Sequence, residues 1–202
     1  LGDKGLELSA QLFPSHKQAL PVLRAMIDKG MNTVYAGTCG RLFDAVSSMI
    51  GLCEKSTYDG EAAIRLSELA NLNLPVNAYS YEIQEHEQKL LFNFSKMLLQ
   101  IVDDLAREKD VIEISTAFHE TIVQALVDGM NRLHQTYPQT NKKIVLSGGS
   151  FHNRYLKERL IDCLSAAGFE VFTHQRIPCN DGGLSYGQLM VAAAKREEKI
   201  CV

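Results

Sequence analysis

The sequence predicts an α/β protein in which residues 1–140 are mainly helical and residues 141–202 form a βαβα unit. Apolar residues recur with a period of about 3.6 through most of the first 140 residues, which is typical of amphipathic helices. Two later runs are instead short, apolar and rich in β-branched or aromatic residues, as expected for buried strands. A loop with two adjacent glycines lies between each of these runs and the next helical segment.

Five segments of the first part are predicted to be helical. Pro21 fits the first turn of the first of them and Gly30 its end. His119 lies inside the last one, between Phe118 and Ile122, and it either packs between helices or serves as a ligand. The five segments are residues 18–29, 41–50, 61–70, 92–107 and 112–133.

The last third of the chain predicts strands at 143–147 and 169–173, with helices at 155–167 and 184–196. A strand that is followed by a helix and a second strand forms a parallel pair, because the helix carries the chain back to the starting edge. Both glycine loops then leave the carboxyl edge of one sheet, where open α/β folds bind ligands.

Composition and charge exclude several classes of protein. The 202 residues carry 21 Lys+Arg and 24 Asp+Glu, a net charge of −3, which argues against binding to a nucleic-acid backbone. No apolar run approaches the roughly 18 residues of a membrane span, and no secretory leader is recognisable. The five cysteines are scattered without a Cys-x-x-Cys pair, so we expect reduced thiols in a cytoplasmic protein. Since the first residue is Leu, we expect a piece of a longer protein.

The first glycine loop offers a backbone that can approach a ligand closely. Gly148 and Gly149 follow the first strand, and unpaired N–H groups at the next helix start favour an anion or a nucleotide. Asn153 either binds a sugar or base, or caps the helix. In the second loop, Asp181 either holds a divalent metal or caps the last helix.

A third candidate patch lies in the helical part. Asp44 either forms an ion pair with Arg41 three residues earlier, or accepts hydrogen bonds from ribose hydroxyls. Gly60 belongs to a tight loop before the next helix.

Five segments, in this order, resemble the carbamoyltransferase family of the hydrogenase maturation factor HypF, in the C-terminal part of its TsaD-like transferase domain. They are residues 40–46 (GRLFDAV), 58–64 (YDGEAAI), 118–119 (FH), 146–156 (LSGGSFHNRYL) and 180–188 (NDGGLSYGQ). The resemblance implies the helix-rich half of an actin/sugar-kinase/heat-shock ATPase-like (ASKHA) fold, and it implies that residues 1–202 are the C-terminal portion of that transferase domain. Glu61, where the family often has Gln, and residues 150–152 depart from the family wording.

The resemblance also implies an activity. Such proteins use carbamoyl phosphate and ATP to make a carbamoyl-adenylate, and they pass the carbamoyl group to the C-terminal cysteine of HypE, for the cyanide ligand of [NiFe]-hydrogenases. By resemblance, nucleotide-binding residues are Asp44, Gly60, Gly148, Gly149 and Asn153, and Asp181 is a metal ligand. HypE-like protein is the expected partner, with no nucleic acid and no membrane.

The family's His-x-x-x-His metal motif is missing from these 202 residues. One carboxylate is a poor metal site, so we expect the fragment to bind a divalent metal weakly, to lack activity alone, and to have no catalytic residue of its own. Zinc is expected only in an upstream region. Two alternatives stay open, a TsaD-like tRNA threonylcarbamoyl transferase and a non-catalytic nucleotide-binding regulatory domain of the same fold.

Overall fold

The structure is a computed structural model that describes residues 2–34, 37–87 and 89–200. Its elements run α1 (Gly2–Leu12), α2 (Leu20–Asp28), α3 (Cys39–Met49), α4 (Glu61–Leu69), β1 (Glu82–His86), β2 (Lys89–Asn93), α5 (Ser95–Ala106), α6 (Val111–Thr136), β3 (Lys143–Leu146), α7 (Arg154–Ala166), β4 (Glu170–Thr173) and α8 (Leu184–Ile200). Short 3-10 turns lie at Pro14–His16, Gly149–His152 and Asp181–Gly183. The α/β fold class predicted from the sequence is confirmed.

The chain divides into two compact units. The first comprises residues 1–66 and 98–109, and the second comprises residues 67–97 and 110–202. In the first unit, α1 packs against α2, and Phe43 and Val46 of α3 are buried. The α2 helix begins at Leu20 with Pro21 in its first turn, as predicted.

The second unit is built around the long helix α6. Asp110 caps this helix by accepting a hydrogen bond from the backbone N–H of Ile112 at 2.8 Å. Residues 114–123 of α6 are all buried, α7 packs against this helix, and Leu156, Leu160 and Leu164 of α7 are also buried. This apolar contact holds the βαβα unit in place.

Strands β3 and β4 pair in parallel, with Leu146 beside Thr173 at their carboxyl ends. The predicted strand–helix–strand–helix order and its parallel pairing are therefore confirmed. The sheet formed by these two strands keeps Leu146 buried, whereas Val145 and Phe172 are exposed on the opposite face.

The antiparallel hairpin of β1 and β2 is not predicted by the sequence, and the last two residues of its second strand, Phe92 and Asn93, fall within the predicted helix 92–107. The hairpin rests on α6 at Gly129, where a Cβ atom would lie only 2.8 Å from Cζ of Phe92. Tyr81, just before β1, donates to the carboxylate of Asp128 at 2.6 Å. Helix α5 consequently begins only at Ser95.

None of the helices in the described residues has both the length and the apolarity of a bilayer span. No disulfide joins Cys39, Cys53, Cys163 and Cys179, the cysteines that the structure describes. Cys201 lies outside the described residues.

Candidate functional site: the paired glycine loops

The two glycine loops of the second unit are joined directly. The backbone N–H of Gly148 donates to the carbonyl oxygen of Cys179 at 2.7 Å. Both loops leave the same edge of the β3–β4 sheet, since the strands run parallel and end side by side. The expectation that the two loops lie together at the carboxyl edge is confirmed.

The first loop needs glycine for its backbone. Gly148 has φ +111°, a conformation that side chains with a Cβ rarely adopt. Gly149 begins the short 3-10 turn that leads towards α7, and the nearest atom to a Cβ built on it is Cβ of Asn180, at 3.9 Å. The first loop therefore passes close to the second.

The second loop is shaped by a side chain and by tight packing. The Oδ1 atom of Asn180 accepts from the backbone N–H of Gly182 at 3.1 Å, which closes an Asx turn. A Cβ on Gly183 would lie 2.7 Å from the carbonyl oxygen of Pro178, so only glycine fits there without displacing the backbone. In both loops, therefore, a glycine lies close to atoms of a neighbouring segment.

Asp181 is exposed at the start of the 3-10 turn that precedes α8. Residues 2–34, 37–87 and 89–200 hold no group of three His, Cys, Asp or Glu side chains that could bind a metal ion. The donor set on the described part of the chain is therefore too small for a transition-metal site. The role of Asp181 as a metal ligand remains a prediction.

Asn153 does cap a helix, as one of its two sequence interpretations held. Its Oδ1 atom accepts from the backbone N–H of Leu156 at 3.0 Å, and the residue is only 9% exposed. Its Nδ2 atom lies 2.8 Å from Nε2 of His119 on α6. Both polar atoms of the side chain are thus engaged inside the fold.

His119 is completely buried on α6, between the rings of Phe118 and Tyr155. Its Nδ1 atom lies 2.7 Å from the carbonyl oxygen of Ser115, which can only accept. Nδ1 therefore carries the hydrogen, and Nε2 accepts from the amide of Asn153. Burial lowers the pKa of His119 to about 4, although the hydrogen bond to Ser115 opposes this shift.

A second polar contact between α6 and α7 is centred on the buried Glu120. Glu120, 6% exposed, accepts two hydrogen bonds from Arg159, at 2.8 and 3.0 Å, and one from the hydroxyl of Tyr155 at 3.0 Å. Burial disfavours the charge of Glu120, but the hydrogen bonds from Arg159, Gln124 and Tyr155 together outweigh the effect of burial. The pKa of the Glu120 carboxyl consequently lies below its ordinary value.

An open cleft of about 240 Å³ adjoins both loops. Its walls are apolar at Leu146 and Ile177, and its polar lining includes His152, Lys157 and His174 but no carboxylate. Beside it, Nε2 of His174 lies 2.8 Å from Oγ of Ser147, the residue before Gly148. A lining with basic groups and no acid suits an anionic ligand.

The other two predicted site residues belong to the first unit. Asp44 forms the ion pair with Arg41 that the spacing suggested, with Nη2 and Oδ2 2.8 Å apart. The predicted helix 41–50 would place Asp44 in its first turn, but α3 begins at Cys39, so Asp44 lies in the second turn. The Asp44 carboxylate is 25% exposed and keeps a surface towards solvent.

Gly60 has φ +79° and ends the loop that leads into α4. The buried carboxylate of Glu61 holds this loop from within, since it accepts from the backbone N–H and the hydroxyl of Thr57 and pairs with Arg65. These hydrogen bonds, above all that from the Thr57 backbone, lower the pKa of Glu61. Replacing the family's Gln by Glu thus leaves the loop well supported.

The sequence pattern missed the two histidine contacts of the site. Neither interpretation of His119 includes its link to Asn153, because that link spans 34 positions without a local pattern. The pairing of Ser147 with His174 follows from the parallel register of β3 and β4, so it could have been found from the predicted sheet.

Paired glycine loops at the carboxyl edge of a parallel sheet are typical of α/β proteins that bind a ligand at that edge. Comparisons with known proteins identify the family to which the chain belongs. The family described as "Carbamoyltransferase, Kae1-like Domain, second subdomain" matches residues 3–188. The chain therefore belongs to the HypF carbamoyltransferase family.

Two proteins named as HypF carbamoyltransferases are similar to the chain over most of its length. The chain is 33% identical over 192 residues to the carbamoyltransferase HypF of Rhodobacter capsulatus, which covers 95% of this chain and 24% of that protein. It is 29% identical over 177 residues to a probable carbamoyltransferase HypF of Methanocaldococcus jannaschii, covering 87% of this chain and 22% of that protein.

A solved structure is similar as well. The crystal structure of full-length HypF in the phosphate- and nucleotide-bound form superposes with a TM-score of 0.84 at 35% identity, covering 94% of this chain and 25% of that one. The chain thus spans about a quarter of the length of these relatives.

Proposed function

We propose that this chain forms the nucleotide-facing part of a carbamoyltransferase that uses carbamoyl phosphate and ATP. The enzyme forms a carbamoyl-adenylate and transfers its carbamoyl group to the C-terminal cysteine of a HypE-like acceptor. The observation that carries the proposal is the Gly148–Cys179 hydrogen bond, which joins two glycine loops at the edge where α/β sheets bind ligands.

The contacts of the second unit support nucleotide binding at this edge. Gly148 and Gly149 bring a backbone without side chains to the surface of the loop, next to a cleft with basic lining. Asn153 contributes by closing the loop at the start of α7. The related full-length HypF was crystallised with a nucleotide and phosphate bound, which favours the same class of ligand here.

By family resemblance, Asp44 and Gly60 of the first unit would face the ribose of a nucleotide. A carboxylate that is partly exposed can accept hydrogen bonds from ribose hydroxyls, provided that the ligand competes with Arg41 for it. Gly60 allows close approach of the backbone at the start of α4. Both roles are proposals that rest on family resemblance.

The transfer step is acyl chemistry. The acceptor thiolate attacks the carbamoyl carbon, a C–S bond forms, and the C–O bond to AMP breaks with the electron pair leaving on the phosphate. Backbone N–H groups stabilise the oxygen on which charge develops. No cysteine of this chain is needed as the nucleophile, and Cys179 contributes its backbone carbonyl to the loop contact.

The chain alone is expected to lack transferase activity. Asp181 would complete a metal site only together with ligands from outside the described residues, since no cluster of three ligands exists within them. The metal, when bound in the complete enzyme, would polarise the carbamoyl-adenylate as a Lewis acid.

A chimera tests the proposed function. This chain replaces the matching 24% of the Rhodobacter capsulatus carbamoyltransferase HypF, and the product is assayed for AMP formation and for carbamoylation of the HypE acceptor. We expect both activities from the chimera and neither from the chain alone.

Asp181→Asn in the chimera should abolish transfer, whereas Asp162→Asn, on an exposed position of α7, should leave it unchanged. A chimera that folds and forms no AMP would contradict the proposed function. Full transfer by Asp181→Asn would contradict the metal assignment alone.

A further inference from the structure

Hydrogen bonds, connected through the short backbone segment 148–153, link the buried helix α6 to both glycine loops. His119 accepts from Asn153 at 2.8 Å, and the backbone N–H of Asn153 donates to the carbonyl oxygen of Ser150 at 3.2 Å. The carbonyl oxygen of Gly148 accepts from Phe151 at 3.1 Å, while its N–H reaches the second loop. Each step lies within the second unit.

The orientation of the Asn153 amide is determined by its surroundings. Its oxygen must face the backbone N–H of Leu156, because that group only donates. Its nitrogen then faces Nε2 of His119, which must be unprotonated to accept. A histidine fixed in this tautomer by Ser115 therefore holds the cap residue of α7 in one rotamer.

Packing alone does not account for this arrangement. A phenylalanine would fill a similar volume between the rings of Phe118 and Tyr155, but it would leave the Asn153 amide without an acceptor. An unpaired buried donor is costly, so the amide would rotate out and the turn at Gly149–His152 would lose its anchor.

We infer that His119 is a positioning residue for both glycine loops, acting through Asn153 on residues 147–153 and through the Gly148–Cys179 bond on residues 179–183. The consequence for nucleotide binding rests on the proposed function. The positioning itself does not, because it can be measured without a ligand.

The test uses the ¹⁵N-labelled 202-residue chain and the amide signals of Gly148, Gly149, Gly182 and Gly183. His119→Phe keeps the ring and removes the acceptor, whereas His119→Gln places an amide oxygen near the position of Nε2. His134→Phe is the matched control, since His134 lies on the same helix and contacts the ring of Phe169.

We expect His119→Phe to shift or broaden all four glycine signals, and His119→Gln and His134→Phe to leave them nearly unchanged. Rescue by glutamine separates positioning from packing. Glycine signals that stay in place in His119→Phe, or that move equally in His119→Gln, would overturn the inference.

If His119→Phe does not fold, the Asn153→Ser variant is used for the same test, because serine keeps the helix cap but does not reach His119. The same four signals should move, and unchanged signals would overturn the inference.

Added AMP should bind His119→Phe about tenfold more weakly than the unsubstituted chain, as for one lost hydrogen bond. No AMP binding to the unsubstituted chain would count against the proposed function, while the glycine shifts would still decide the positioning.

Discussion

The Nε2 atom of His119 accepts a hydrogen bond from the side-chain amide of Asn153 at 2.8 Å, across the interface between α6 and α7. This contact connects the most buried helix of the second unit with the loop that carries Gly148 and Gly149. Asn153, which is only 9% exposed, therefore supports the predicted site from within the fold.

The buried histidine makes stability depend on pH. An unfolded histidine binds its proton near pH 6.5, whereas the pKa of folded His119 is about 4. The unfolded state therefore binds more protons between these values, and stability falls as the pH is lowered through that window, by about 3 kcal/mol in total. Urea unfolding at pH 7 and pH 4.5 measures the loss.

Carboxylates of the unfolded chain titrate near the lower end of that window, so a variant isolates the histidine. His119→Gln should lose much less stability between the two pH values than the unsubstituted chain. An equal loss in both proteins would show that His119 is not the group responsible.

Removing the side chain of Asn153 should cost more than removing an ordinary helix cap. Asn153→Ala loses the cap of α7 and removes the hydrogen bond that the Asn153 amide donates to buried His119, at a cost of about 2–4 kcal/mol. Asp110→Ala, which removes the cap hydrogen bond from the backbone N–H of Ile112 at the start of α6, should cost only about 1 kcal/mol. Urea midpoints compare the two, and equal losses would argue against a special role for Asn153.

The ion pair of Glu120 and Arg159 should matter more than pairs on the surface. Arg159→Leu keeps the apolar stem but leaves the Glu120 carboxylate, 8% exposed, with weaker neutralisation. We expect a loss of about 2 kcal/mol, since the guanidinium is one-third exposed, and a rise in the pKa of Glu120. Arg154→Leu, in an exposed pair with Glu158, should change stability by less than about 0.5 kcal/mol.

Thermal and urea unfolding measure both effects, and NMR titration of the Glu120 carboxyl carbon measures the pKa. A pKa that stays low in Arg159→Leu would show that the hydrogen bonds from Gln124 and Tyr155 suffice to hold the charge.

Position 183 has room only for glycine, because the backbone of Pro178 lies close to it. A Cβ there would lie 2.7 Å from the carbonyl oxygen of Pro178, so Gly183→Ala should displace the second loop and cost about 1–3 kcal/mol. The amide signal of Gly148 should shift as well, through its bond to Cys179. Gly187→Ala is the control, because open space surrounds it in α8, and it should stabilise the helix by up to about 1 kcal/mol.

The fold of the last third could be predicted from the sequence because its signals are local. The β-branched run at Lys143–Leu146, the glycines after it and the helix at Arg154–Ala166 each follow from neighbouring residues. Their order then implies the parallel pairing of β3 with β4. The proximity of the two glycine loops is a direct consequence of that pairing.

The features that were missed depend on distant residues. The strand Lys89–Asn93 carries an apolar stretch that continues into α5, so its period resembles that of a helix, and only the packing of Phe92 on Gly129 reveals the hairpin. The contact of His119 with Asn153 likewise joins residues far apart in sequence. Such contacts leave no spacing pattern.

Titration of AMP into the ¹⁵N-labelled chain shows whether the paired glycine loops face a nucleotide. We expect weak but saturable shifts of the Gly148, Gly149, Gly182 and Gly183 amides, with Gly129 of α6 unchanged. Saturable binding that moves none of these four loop signals would contradict this expectation.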